Sequence, residues 1–475
     1  MLQSEDISKI NEIKTFFSES WLQPSVMQEQ LKLIRFGKTK QLFKTVKAQG
    51  VDFYSILKLL LFLPMLGLRN INQVMNSTTD LLGEKDVYYR GLSNPNINWR
   101  NFLWLITKQY FSIKPTSKPG ERYLIFDDTD IEKTGQTMEG ISKIHSHVSG
   151  RFFLGYKLLV AGYWDGEVFT PVDFSFHRES KNNKRNKYGL TKKQRKNQKR
   201  TNRDKSSSAA KRYLELDQKK TSIVVDIFKR IKKRRIAVDY ILIDSWFTSV
   251  SLIKAFLSVN KLVHVIGMYK YNSTVTVGER TVKIKELRKA NSKLKRARSY
   301  GMYYRYFDGE IDELSVRLFL VRKGTNGAWH TILSTDKSLT FTKMMEKYSA
   351  RWSIEVFFKE AKQLLLLGKN QSTNFDVQIA HTTIVMIQYQ LLSLKYRLEA
   401  YKTIGGMFSE IKQDIIEHKL NERIIAVISE IITVLDFLVD GLDLELTISK
   451  LIQYSGQFTF LNNFVPEDKH YKSVA

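Results

Sequence analysis

The sequence predicts a mixed α/β core that carries a β-strand insertion and is flanked by helical regions at both ends. Three observations predict this. The hydrophobic period switches from helical to alternating spacing at about Arg122 and back to helical near Phe341. Hydrophobic residues make up 43% of the 475-residue chain, enough for folded cores, and only 7 prolines interrupt it. At roughly 150 residues per domain, that length suggests about three structural units.

Residues 1–115 read as a helical N-terminal region, since SWLQPSVMQEQLKLIRFGKTKQLFKTVK and FYSILKLLLFLPMLGLRNINQVMN place apolar residues at helical spacing. A basic helical module ahead of a core suits site recognition, and equally suits plain scaffold. Residues 116–261 form the first part of the core. RYLIFDDT is a short apolar run ending in carboxylates, FFLGYKLLVAGYWDGEVFTPVDFSF alternates as two strands about Asp165 and Gly166, and a helix over 213–233 leads into the buried strand VDYILIDSWF. Strand, hairpin, helix, strand is the order of a mixed sheet whose first and fourth strands lie side by side. The acids at their ends, Asp127 or Asp128 and Asp244, then converge on one edge. Residues 262–338 read as a β-strand insertion, 339–395 as the second part of the core with one helix over about Phe341–Leu366, and 396–475 as a helical C-terminal region. The 422–450 stretch is acidic, and its apolar stripe suits packing on the chain's own core more than on a second subunit.

Charge narrows the function. The chain carries +28 with a pI of about 9.8, which points to a polyanionic partner, nucleic acid before an anionic membrane surface. The excess is concentrated in a basic loop at 178–212, with 15 Lys or Arg against Glu179 and Asp204. A segment so poor in apolar residues is expected to be a solvated arm. Lys192, Lys193, Arg195, Lys196, Lys199 and Arg200 are its candidate phosphate contacts. The absence of cysteine excludes disulfides, thiolate metal sites and cysteine nucleophiles, and is compatible with a reducing cytosol. No membrane partner is expected, because the best apolar run, 53–68, contains Lys58 and Pro64 and is shorter than a span. The start, MLQSEDISKINEIK, lacks the layout of a signal peptide. No GxxxxGK[ST] and no dinucleotide fingerprint occurs, and Gly278 and Gly324 form no such loop, so no nucleotide cofactor is expected.

The chemistry rests on carboxylates and cations. Tyr348, Arg351, Glu355 and Lys362 fall on one side of a single helix in KYSARWSIEVFFKEAKQ. Taken alone, such a row suits a solvated, salt-bridged face. Beside strand-end aspartates in LIFDDTD and ILIDSWF it suits phosphate chemistry: carboxylate oxygens for hard cations, Arg and Lys for phosphate. His145 and His147 hint at zinc, but with no Cys or second His pair nearby a loop histidine pair is the simpler reading. Trp329 suits a packed or rim position before a base-stacking one. Trp246 and Trp352, beside the proposed site, are expected to be core anchors.

Read together, Tyr348, Arg351, Glu355 and Lys362 (Y-x2-R-x3-E-x6-K), the DDT segment and the IDSWF segment resemble the insertion-sequence-four family of bacterial transposases over roughly Arg122 to Lys395. The resemblance implies an RNase H-like catalytic core with a β-strand insertion before the Glu. It implies Asp127, Asp244 and Glu355 as catalytic metal ligands, with Asp128 as the alternative to Asp127, and two Mg²⁺ ions that Mn²⁺ can replace. Tyr348, Arg351 and Lys362 would hold DNA phosphates. The implied activity is cleavage at the ends of an insertion sequence and 3′-hydroxyl strand transfer into target DNA. Double-stranded DNA would be the partner, a homodimer would form in the synapse, and the place of work would be the cytoplasm at the bacterial nucleoid. The alternatives are a catalytically silent transposase-derived DNA-binding protein and a stand-alone metal-dependent nuclease.

Overall fold

The computed structural model describes residues 31–43, 52–65, 67–73, 84–113, 119–147, 149–179, 189–289, 294–398 and 403–413. By its internal contacts the chain divides into two compact units, Met1–Gln28 with Phe408–Ala475, and Glu29–Met407. The helices and strands named here all lie in the second unit. The acidic 422–450 stretch lies outside the described residues.

The helices are α1 (Phe53–Phe62), α2 (Lys85–Leu92), α3 (Trp99–Ile113), α4 (Lys192–Lys196), α5 (Ser208–Leu214), α6 (Lys220–Lys233), α7 (Val250–Val259), α8 (Phe341–Ser349), α9 (Trp352–Gln363) and α10 (Phe375–Leu398). Short polar side chains start many of them by accepting free N–H groups of the first turn. Asp52 does so for α1, Ser207 for α5, Ser249 for α7 and Thr340 for α8, and Thr191 forms a capping box with Gln194 for α4. Among the described residues no helix is long and apolar enough to cross a membrane.

The strands are β1 (Tyr123–Glu132), β2 (Ser142–His145), β3 (Phe152–Trp164), β4 (Phe169–His177), β5 (Tyr240–Ile243), β6 (His264–Tyr269), β7 (Thr274–Val277), β8 (Arg280–Lys283), β9 (Lys295–Ala297), β10 (Met302–Ile311), β11 (Leu314–Lys323) and β12 (His330–Ser334). All twelve belong to one sheet. β3 pairs antiparallel with β1 and β4, β1 runs parallel to β5, and β5 runs parallel to β6. Counted as β4-β3-β1-β5-β6, the core has the strand order 3-2-1-4-5 with its first, fourth and fifth strands parallel, an RNase H-like arrangement. Parallel strands buried on both faces read as unbroken apolar runs, and Tyr240–Ile243 is buried throughout. Helices α6 and α7 cover one face with Ile223, Val224, Ile227, Phe228, Ile253 and Phe256 against Leu124, Phe126, Ile241 and Ile243.

Two expectations change here. The insertion read as 262–338 donates its first strand, β6, to the core, and β12 returns to pair with β6, so β7–β12 extend the core sheet. The expected solvated arm is folded in its described part. Residues 189–214 contain α4 and α5, and Gln198 is buried, donating to Ile141 O at 2.8 Å. Arg203 is 5% exposed and binds Glu139 at 2.6 Å and Asp376 at 3.0 Å. A segment of that charge packs because acids distant in the chain neutralise its inward-facing arginines, while Lys192, Lys193, Lys196, Lys199 and Arg200 stay exposed. Residues 180–188 lie outside the described residues.

Candidate active site

Strand register places the first two acids. Phe126 of β1 pairs with Ile243 of β5, so Asp127, midway along β1, lies level with Asp244, which follows the carboxyl end of the parallel strand β5. Ligands of open α/β sheets bind at such ends. β5 stops there and the chain turns into α7. Asp244 Oδ1 accepts the N–H groups of Trp246 at 3.0 Å and Phe247 at 3.1 Å, while Thr248 Oγ1 donates to the Asp244 carbonyl. Phe247 is fully buried and pins the turn. Beneath it, Gly267 of β6 lets the turn approach, for a Cβ there would lie 2.4 Å from Thr248 Oγ1.

The third acid arrives on α9. The expected single helix over 341–366 is two, α8 and α9, separated at Ala350 and Arg351. Across the break the backbone tightens to three-residue hydrogen bonds, Arg351 N to Tyr348 O at 3.0 Å and Ile354 N to Arg351 O at 3.2 Å. Ser353 Oγ occupies the Ala350 carbonyl at 2.7 Å. The four motif residues still gather. Arg351 donates from Nη1 to Asp127 Oδ2 at 3.3 Å and from Nη2 to Glu355 Oε1 at 2.6 Å. Tyr348 donates to the Ile243 carbonyl at 3.3 Å, immediately before Asp244. Lys362 donates to Thr129 Oγ1 of β1 at 2.7 Å.

The electrostatics follow from this crowding. Burial, then the charge of Asp244, pushes the Asp127 carboxyl up to about 7, against the opposing Asp128 N–H and Arg351. Burial also raises Asp244, opposed by the Phe247 N–H, with Asp128 adding repulsion. Burial holds the Tyr348 phenol up at about 12 and lowers the Lys362 ammonium. The structure thus holds a carboxylate pair short of positive charge.

Asp127 and Asp128 take different partners. Asp127 meets Arg351, whereas Asp128 forms an ion pair with Lys220 at 2.8 Å. Lys220, at the start of α6, also lies 4.6 Å from the Trp246 ring centre. Nothing in the sequence points to Lys220, since its partner is 92 residues away. Trp246 and Trp352 are not core anchors: they are 53% and 61% exposed, one beside Asp244 and the other beside Arg351. Trp329 is partly buried against the core and stacks with Arg322 at 4.9 Å. His145 ends β2 rather than lying in a loop, its ring 5.1 Å from that of His147. In 192–200, Lys199 N bonds Thr137 O, and Arg195 lies near Asp217.

Among the described residues, no three His, Cys, Asp or Glu side chains stand at metal-binding spacing. Arg351 bridges Asp127 and Glu355, its guanidinium donating to both. The donor set fits a hard divalent cation all the same. All donors are carboxylate oxygens, and the Asp127–Asp244 repulsion is of the kind a dication relieves.

The family described as DDE superfamily endonuclease matches residues 69–305, a span that includes Asp127 and Asp244 and ends before Glu355. The match is at the level of the superfamily and does not single out the insertion-sequence-four family. No curated protein matches the chain. Among solved structures it is similar to a cryo-EM piggyBac transposase synaptic complex with hairpin DNA, at 12% identity and a TM-score of 0.39 over 96% of this chain and 86% of that one. That likeness is too loose to carry an argument about the site.

Proposed function

We propose that the protein is a DNA transposase that cleaves DNA at the ends of an insertion sequence and joins the freed 3′-hydroxyl to target DNA. The observation that carries this reading is the juxtaposition of Asp127 on β1 with Asp244 at the end of the adjacent parallel strand β5, with Glu355 tied to Asp127 through Arg351. The DDE superfamily endonuclease match over both aspartates and the charge of +28 support it.

Asp127, Asp244 and Glu355 would hold Mg²⁺, two ions in the full reading, with Mn²⁺ as a substitute. Bound there, the metal supplies an acidified water and stabilises charge on the phosphate oxygens. The chain's own residues do the rest. Arg351, released from the acids, offers a planar pair of donors to a phosphate. Tyr348 braces the backbone that presents Asp244, and Lys362 holds α9 against β1 beside the strand where DNA would lie. The exposed cations of 192–200 contribute sequence-independent attraction to double-stranded DNA. A homodimer on DNA, one protomer for each element end, completes the reading.

The test is Asp244→Ala, assayed on element-end DNA in Mg²⁺. Cleavage should vanish while end binding persists, and retained cleavage would remove the metal assignment. The family's description as an endonuclease also suits an enzyme that cuts without joining. Pre-cut ends bearing a 3′-hydroxyl separate the two: their insertion into plasmid supports the transposase, and cleavage with no insertion supports the nuclease.

A further inference from the structure

The far end of the sheet holds a second concentration of positive charge. Residues 270–298 contain ten Lys or Arg against two acids, Glu279 and Glu286. The segment runs through β7, β8, a 3₁₀ helix at Ile284–Lys289 and β9. Its apolar positions turn inward, with Val275, Ile284 and Leu287 buried in one core with Leu318 and Leu320 of β11 and Leu333 of β12. Its cations turn outward. Lys283, Lys285, Arg288 and Lys289 are all exposed, as are Lys295 and Arg296 of β9. Other acids of the extension are engaged elsewhere: Asp308 binds Arg317 at 2.7 Å, and Glu313 lies 3.5 Å from Lys254.

Beside these cations an aromatic ring stands between two guanidinium groups. Register sets Arg296 of β9, Tyr303 of β10 and Arg322 of β11 side by side, each guanidinium 5.6 Å from the Tyr303 ring centre. An arginine held over a ring keeps its charge while its orientation is restricted, which reduces the entropy lost on meeting a polyanion. Sheet order gives the distance to the acids. From β1 the strands run β5, β6, β12, β11, β10, β7, β8, so β10 is the fifth and β8 the seventh. At about 4.8 Å per strand this places the basic face roughly 24–34 Å from Asp127. Duplex DNA covers that length in about 7–10 base pairs.

We propose that the outward face of β8, the 3₁₀ helix and β9 is a second contact for duplex DNA, gripping phosphates within about one helical turn of the bond to be cut. The inference rests on the transposase reading, because a duplex with its scissile phosphate at Asp127 and Asp244 then reaches this face along its own axis. Duplex DNA is favoured over a lipid surface. Among the described residues of 270–298 no large apolar side chain is exposed, and interfacial binding needs such side chains to enter the bilayer. The contact would make the protein prefer sites with a full turn of duplex on that side, without entering the reaction.

The test measures binding of the full chain without divalent metal, so it does not depend on cleavage. Element-end duplexes run about 4 or about 14 base pairs past the scissile phosphate, on each side in turn, which stops short of the basic face or spans it. They are titrated with the native protein and with Lys283→Ala/Lys285→Ala/Arg288→Ala/Lys289→Ala, whose four side chains are exposed. For one of the two sides, the variant should bind the longer duplex at least about tenfold more weakly than the native protein at about 0.1 M salt, and the shorter one equally well. Its salt dependence on the longer duplex should flatten by about 0.9 for each phosphate released. In the native protein the longer duplex should also shield Lys283, Lys285 and Lys289 from acetylation, a readout that needs no variant. Equal weakening on short and long duplexes, an unchanged salt slope, or undiminished acetylation would each overturn the proposal and leave these cations as guards of a sheet edge. Shielding by anionic vesicles and not by duplex would overturn it in favour of a membrane. A native protein that binds no element-end duplex at all would remove the transposase reading and this proposal with it.

Discussion

Asp127 is a carboxyl group held where its charged form is disfavoured. Its folded value of about 7 stands above the roughly 3.9 of an unfolded chain. Below about pH 4 it is protonated in both states and costs nothing. As pH rises through about 7 it must ionise beside Asp244, and the stability that its neutral form preserves is lost. Asp127→Asn should therefore stabilise the metal-free protein at pH 8 by about 2–4 kcal/mol relative to the native chain and leave it unchanged near pH 4, as read by urea unfolding. Equal stability at both pH values would contradict the strained pair. The same substitution should abolish cleavage. Asp128→Asn, which loses only the Lys220 pair, should retain measurable cleavage, and equal activity in the two variants would contradict the assignment of Asp127. The acids themselves were legible in the sequence because carboxylates following an apolar run and a spaced Tyr-Arg-Glu-Lys row are local patterns, although β1 runs on past Asp127 to Glu132 rather than ending there. The role of Arg351 as a bridge between Asp127 and Glu355 was not, since it depends on a side-chain reach of 224 residues along the chain.

At the scale of elements, the basic segment shows why charge count alone misleads. Fifteen cations in 178–212 read as solvated, yet the side chains of Arg203 and Arg212 are only 5% and 2% exposed. Glu139 and Asp376 for Arg203, and Asp173 for Arg212, are contributed by distant elements; only Glu215, three residues after Arg212, is a local partner. The structure divides the segment into two functions. Arg203→Ala strands Glu139 and Asp376 and should cost about 3–5 kcal/mol of stability, whereas Lys192→Ala with Lys193→Ala should change it by less than about 0.5 kcal/mol. On DNA the order reverses. The double lysine variant should bind all sequences more weakly, with the salt dependence flattened by about 0.9 for each phosphate that the lysines no longer neutralise. An unchanged slope would make those lysines bystanders. The α8–α9 break was equally hidden, because Ala350 and Arg351 are good helix formers and only the Ser353 hydroxyl on the Ala350 carbonyl accompanies the interruption.

Over the whole molecule, one sheet runs from the core into the insertion. The period of the sequence showed strands at 262–338 but not that β6 completes the core or that β12 returns to it, because pairing partners such as Gly267 and Leu333 are fixed only by long-range register. The consequence is a rigid continuation of the strands that carry Asp127 and Asp244. Binding of a divalent cation between Asp127, midway along β1, and Asp244, just past β5, can be tested without any DNA. Fe²⁺ substituted for Mg²⁺ in the presence of ascorbate and peroxide cuts a protein backbone beside the bound ion. Paired cuts are expected near Asp127 and Asp244, with a weaker one near Glu355, all suppressed by excess Mg²⁺. Cleavage elsewhere in the chain, or cuts that persist unchanged in Asp244→Ala, would contradict it.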